Sequence, residues 1–232
     1  MGMQIRHQRH GHNRLQRQRQ ATSGFSLLEM VIVVSIALII SGFAVINTQG
    51  AVKDARINGA YDTAFMQLRL ARQRSIEERT RYIVTFGTPG IAGAPTPFGA
   101  PTAKSIQVYS WIGTGAPSTA VQISTIDLPF DIAFQAQTGL PTGAATVPDG
   151  FGNGSTAIDF DQGIPPGGGN LVMFTPDGSA HDTAGNYNSG VLYVARNADM
   201  NSTRAITVFG TSGRIRGWRL AQVGGVPTWK QQ

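Results

Sequence analysis

The chain has 232 residues, with 19 Lys and Arg against 13 Asp and Glu, and no cysteine. Lacking cysteine, it forms no disulfide, thiolate zinc site or thiol nucleophile, and its redox compartment stays open. Only 14% of its residues are charged, while Gly (29) and Pro (12) are plentiful. That balance suits a β-rich, loop-rich body better than a charged helical bundle.

Residues 1–23 carry five arginines (Arg6, Arg9, Arg14, Arg17 and Arg19), three histidines and no acid. Beyond them 14 basic residues face 13 acidic ones, so the pI of about 10.2 belongs mostly to this leader. A uniformly basic, nucleic-acid-seeking body is thereby excluded.

Residues 25–46 read FSLLEMVIVVSIALIISGFAVI and contain one charge, Glu29. As a helix these residues rise roughly 33 Å, the hydrocarbon thickness of a bilayer. The arginines before the run keep residues 1–24 cytoplasmic and send the remainder outward. A secretory signal peptide shares the basic start, and Gly42 and Ala44 offer small residues for its cleavage. The length of the apolar run and the carboxylate near its start oppose that reading. An ionised carboxylate in a bilayer costs at least ~2.5 kcal/mol, so Glu29 needs a partner or a solvated place at the interface.

The string Gly24-Phe25-Ser26-Leu27-Leu28-Glu29, after a basic leader and before an apolar run, resembles the processing site of type IV prepilins and type II secretion pseudopilins. The resemblance implies cleavage between Gly24 and Phe25 by an inner-membrane prepilin peptidase, with N-methylation of Phe25. It also implies that Glu29 pairs with the N-terminal amine of a neighbouring pilin or pseudopilin subunit. Such pairing compensates two charges that are each costly in an apolar filament core. The implied location is the inner membrane, single-pass with the head in the periplasm, and then a pilus or pseudopilus filament.

Helical periodicity continues beyond the apolar run. Ala60, Tyr61, Ala64, Phe65, Leu68, Ala71, Ser75 and Ile76 recur at steps of three and four, forming one stripe. Asp62, Arg69, Arg72, Gln73, Glu77 and Arg79 lie opposite. One long helix over about 25–79 is expected, with Gly42, Gly50 and Gly59 as weak points. From residue 82 the pattern becomes short alternating segments between Gly/Pro/Asn/Asp clusters. Strands are expected at 82–86, 105–111, 120–128, 131–135, 171–174, 191–195, 204–209 and 214–220, with exposed loops over 87–101 and 139–169.

The run Phe174-Thr-Pro-Asp-Gly178, then GVLYVAR and ITVFGTSGRIRGW, resembles the end of the GspH/FimT group of minor pilins and pseudopilins. The two resemblances cover residues 24–80 and about 171–220. They imply an α+β fold, a long N-terminal helix packed on an antiparallel β-sheet head. The expected division is a leader over 1–24, a membrane or filament-core helix over 25–46, an amphipathic extension over 47–80 and a β-rich head over 81–232.

Little catalytic chemistry is in evidence. His181 is the one histidine after the leader, in a turn-like run over 178–190, and histidine metal clusters are excluded. Asp177 and Asp182 flank a loop but lack the ligand spacing of a calcium hand. Gly167–Gly169 leads into a strand rather than a helix and forms no phosphate loop. No cofactor is expected.

Charge is more informative. Residues 82–199 hold Lys104 and Arg196 against eight aspartates, whereas residues 201–232 hold Arg204, Arg214, Arg216, Arg219 and Lys230 with no acid. On a strand, Arg214 and Arg216 share one face and Arg219 takes the other, unless Gly217 carries a bulge. With Trp218 and Trp229 nearby, such a face suits phosphates and stacked bases. In the GspH/FimT group that the chain resembles, a Gly-Arg-x-Arg hairpin, here Gly213-Arg214-Ile215-Arg216, is associated with DNA binding by competence-type minor pilins. The alternative is that these arginines pair with the acidic body or with neighbouring subunits.

Overall fold

The structure, a computed structural model, describes residues 24–88, 90–113, 115–161 and 169–232, with the backbone alone over 44–47. Residues 1–23 of the expected leader lie outside the described residues, as do Gly167 and Gly168.

One helix, α1 (Leu27–Glu77), dominates the first third of the chain. It contains an 18-residue window of mean hydropathy 2.5, none of it buried, and is long and apolar enough to cross a membrane. The chain divides into two compact units at Thr48/Gln49.

The unit from Gln49 onward is α+β. The second half of α1 buries Ile57, Ala60, Tyr61, Ala64, Leu68, Ala71 and Ser75, following the 3.6-residue period. Ile57 precedes the expected stripe, and Ile76, expected within it, is exposed. The helix stops because Arg79 adopts the left-handed conformation, φ 51°, which breaks the hydrogen-bond ladder.

Two antiparallel sheets receive this helix. The first contains β1 (Arg81–Phe86), β2 (Ser105–Trp111), β3 (Val121–Asp127), β6 (Leu171–Phe174) and β7 (Ala180–His181), in the order β3-β2-β1-β6-β7. The second contains β4 (Ile132–Phe134), β5 (Ile158–Asp159), β8 (Gly190–Arg196), β9 (Asp199–Phe209), β10 (Arg214–Val223) and β11 (Val226–Gln231), in the order β11-β10-β9-β8-β4 with β5 also on β8. Alternation sorts the side chains: Val84, Phe86, Val172, Leu192, Val194, Ile206 and Val208 join the helix in the main core. Opposite faces form two smaller clusters, one around Tyr109 and Trp111, the other around Tyr193, Leu220 and Trp229.

Three strands escaped sequence reading. β5 lies within the expected 139–169 loop and β7 within the turn-like 178–190 run; each has two residues, too few to show alternation. β11 carries Pro227 and follows Gly224–Gly225, which reads as loop; proline is tolerated there because β11 is an edge strand. β9 begins five residues earlier than expected, with Asp199 paired to Arg196 at the end of β8 and a register shift before Val194↔Arg204.

Gly217 makes room on the sheet for the tip of the Tyr61 ring. A Cβ there would lie 1.6 Å from the Tyr61 hydroxyl oxygen. Gly217→Ala is expected to destabilise the chain by about 1–3 kcal/mol through overpacking. Adding Tyr61→Phe should restore part of the loss; thermal unfolding followed by near-UV circular dichroism measures both.

Candidate functional site

At the N-terminal junction, Gly24–Ser26 are non-helical and the first helical bond runs from the Met30 amide to the Ser26 carbonyl, 3.1 Å. The Gly24–Phe25 bond is exposed on both sides, and Phe25 itself is 74% exposed. A Cβ on Gly24 would meet nothing within 4 Å, so the fold itself does not demand glycine there. Glu29 stands exposed in the first helical turn, where the helix dipole favours a negative charge.

The arginine hairpin is built by the β9–β10 turn. Gly213, at φ 57°, admits no side chain, because its Cβ would lie 1.9 Å from the Gly178 carbonyl oxygen. The neighbouring carbonyls are held by the helix: Arg72 Nε donates to Gly178 O at 3.0 Å and Nη2 to Ser212 O at 3.1 Å. Pairing of β9 with β10 runs without interruption from Arg214↔Phe209 to Arg219↔Arg204, so Gly217 carries no bulge. Arg214 and Arg216 therefore share one face, and Arg219 the other.

These three arginines differ in state. Arg216 Nη1 donates to Asp149 Oδ1 at 2.6 Å, and the Asp149 side chain is only 6% exposed. Asp149 also accepts the Thr207 hydroxyl at 2.5 Å, and Thr207 Oγ1 in turn accepts Trp218 Nε1 at 3.1 Å. Trp229 is buried against Tyr193, ring centroids 5.7 Å apart. Arg216 and both tryptophans are thus engaged within the head. Arg214 is exposed, its guanidinium stacked 4.3 Å over Phe209, and Arg219 is exposed on the helix-facing side.

Sequence reading set Arg69 and Arg72 on the solvated face of the helix. Instead they line, with Gln73, Ile76, Ser212 and Arg214, a groove of about 770 Å³ between α1 and the β9–β10 turn. Arg69 stacks 4.1 Å over Phe65. The lining has three guanidinium groups and no carboxylate, so it is chemically an anion site. Their i, i+3 spacing was the available signal; the partner turn, about 140 residues away in sequence, was not legible.

His181 is locked into the β6–β7 region. One ring nitrogen lies 2.7 Å from Ser179 Oγ and the other 2.9 Å from the Gly185 carbonyl oxygen. Ser179 is buried, and its amide and hydroxyl both reach Asp177. Hydrogen bonds from Ser179 and Thr175 hold the Asp177 carboxyl down to about 2. Asp182 accepts the backbone and side-chain amides of Asn186 at 2.8 and 2.9 Å, closing a turn. Among the described residues no cluster of three or more His, Asp or Glu side chains converges on a metal site.

No family model and no curated protein matches this chain. Among solved structures it resembles the type IV minor pilin FimU of Pseudomonas aeruginosa in two crystal forms. One match has 10% identity and a TM-score of 0.40 over 70% of this chain and 88% of that one. The other has 11% identity and a TM-score of 0.38 over 69% and 90%. Likeness at this level fixes neither family nor function.

Arg216 and Arg214 should separate cleanly in stability. Arg216→Ala strands the buried Asp149 carboxylate and should cost about 1–3 kcal/mol. Arg214→Ala, exposed, should stay within about 0.5 kcal/mol of the parent. Denaturant unfolding of the two variants side by side gives the comparison.

Proposed function

We propose that the chain is the precursor of a type IV pilin-like subunit, cleaved between Gly24 and Phe25 by a prepilin peptidase and N-methylated at Phe25. It assembles through the apolar part of α1 into a pilus or a type II secretion pseudopilus. One observation carries this reading: in the string Gly24-Phe25-Ser26-Leu27-Leu28-Glu29, residues 24–26 form an exposed, non-helical junction leading directly into an exposed apolar helix, with Glu29 in its first turn. An apolar surface of that extent finds its place in lipid or against other copies of itself. Before assembly the helix spans the inner membrane and the head lies in the periplasm. Glu29 then pairs with the amine of a neighbouring Phe25.

The N-terminal mass of the chain expressed with and without a prepilin peptidase tests processing. A product starting at methylated Phe25, formed only with the peptidase, is expected; an intact leader or a cut near Ala44 rejects the reading. Glu29→Ala should be processed normally yet enter filaments poorly, and normal incorporation would refute the pairing role.

A second reading is that the subunit binds DNA during uptake through its arginine hairpin. The groove of Arg69, Arg72 and Arg214 supports it, whereas Arg216 is already ion-paired and Arg219 faces the other way. On this reading affinity falls steeply with salt, and each arginine removed lowers the salt slope by about one. Arg69→Ala/Arg214→Ala should lose most binding in a salt titration, while Arg219→Ala changes it little. Unchanged binding in the double variant sinks this reading and leaves the filament reading intact.

A further inference from the structure

Three cations stand opposite one another across the last strands of the second sheet. Arg204 on β9 pairs with Arg219 on β10, and Arg219 pairs in turn with Lys230 on β11. Paired residues of adjacent strands share a face about 4.8 Å apart, and like charges so placed are destabilising. Among the described residues none of the three makes an ion pair. Arg204 is 2% exposed; it donates to the Asn58 Oδ1 at 3.1 Å and to the Ser202 and Thr203 carbonyls, and its Nε has no acceptor. Burial and Arg219 both work against its charge, with Asp54, Tyr61 and Asp199 opposing them. A fold alone gains nothing from this row.

The strand direction gives the row a place. Along β10, Gly213 lies against Arg72, Gly217 against Tyr61, and Arg219 level with Arg204 and Asn58. β10 therefore runs back along α1, and its hairpin with β11 points toward the end of the head where the chain enters at Gln49. At the hairpin tip Val223 and Val226 are 48% and 61% exposed beside Gly224 and Gly225. Phe130, 77% exposed, lies at the same end under the Arg56 guanidinium, 5.1 Å away. Lys53 is exposed there, and Lys104 Nζ donates to the Phe130 carbonyl. The acids at this end include Asp54, which is exposed, Asp131, which Arg56 holds at 3.5 Å, Asp199, which Arg196 holds, and Asp127, which is exposed and accepts the Thr102 hydroxyl at 3.1 Å.

We propose that this end of the head docks on a bilayer surface containing anionic phospholipids. Val223, Val226 and Phe130 enter the headgroup boundary, while Lys53, Arg219 and Lys230 meet the lipid phosphates. Apolar tips backed by cations are the composition of an interfacial binding surface. The proposal rests on residues 25–46 being a membrane anchor, since that segment joins the head at this same end. Docking holds an unassembled head against the membrane, and extraction into a filament must break it.

The absence of cysteine permits single-site labels. Full-length V226C, carrying a polarity-sensitive fluorophore and reconstituted at one copy per nanodisc, reports docking. Quenching by spin-labelled lipid is expected in discs containing phosphatidylglycerol and little in phosphatidylcholine alone. Each cation near an acidic leaflet is worth about fivefold, so R219Q/K230Q should lower the docked-to-free ratio about 30-fold with its near-UV circular dichroism unchanged. A label at V226C that stays in water in both lipids, while one at I36C is quenched, overturns the proposal and keeps the anchor. An I36C label in water removes the anchor and the proposal together. Protection seen only with several copies per disc assigns the surface to a second copy and likewise overturns it.

Discussion

Everything in the head depends on one helix being buried by two sheets at once. Ile57 and Leu68 are fully enclosed, and a buried side chain of that size contributes about 1.5–3 kcal/mol. Enclosure from both sides requires small residues where a sheet approaches, hence Ala60, Ala64 and Ala71 between the larger ones. It also requires Gly217 on the strand that crosses Tyr61. β1, which follows α1 directly, pairs with β2 and β6 and so begins the first sheet beside the helix that it covers. The second sheet gathers only from residue 132 onward and must close over a helix already flanked. Its inward Leu192, Val194, Ile206 and Val208 complete the core.

The same packing sorts the basic residues into those the fold uses and those it leaves. Arg72 ties the helix to two carbonyls of separate turns, Arg56 holds Asp131, Arg196 holds Asp199 and Arg216 holds the buried Asp149. These are local repairs of buried or half-buried polar groups, which are expensive to leave alone. Arg69 and Arg214 at one end of the head, and Arg219 and Lys230 at the other, make no such repair. The net charge of residues 201–232 hides this division; strand register reveals it, because alternation sends Arg214 and Arg219 to opposite faces.

The helix was legible because its signals are local: a period of 3.6, an unbroken apolar run and a carboxylate at its start. Strands of four or more residues were legible for the same reason, except β11, whose Gly224–Gly225 and Pro227 read as loop; 105–111 and 171–174 have the expected limits. What escaped depends on distant partners. β5 and β7 exist because β8 and β6 supply their hydrogen bonds, and no alternation fits in two residues. Asp149 reads as a turn aspartate until residue 216 is folded against it. Sequence placed Arg214 and Arg216 correctly on one face, yet could not show that one was spent on Asp149 and that Arg69 and Arg72 stood beside the other.

The apolar half of α1 poses the opposite problem, since nothing described in the chain covers it. Leu27, Leu28, Met30–Val34, Ile36 and Leu38–Ile40 present exposed apolar side chains around the helix, and Phe25 precedes it exposed. A helix apolar all round belongs inside something. Lipid and a sheath of like helices both satisfy the aliphatic surface, and apolar area alone does not choose between them. Glu29 does. In lipid its charge is a cost set only by how near it lies to water. In a sheath it becomes an asset once a neighbouring helix brings an unpaired amine to the same depth, since each charge then relieves the other. On the filament reading proposed above, a chain that lodges first in one medium and then in the other gains directionality from this single carboxylate, which disfavours the first and can be matched in the second.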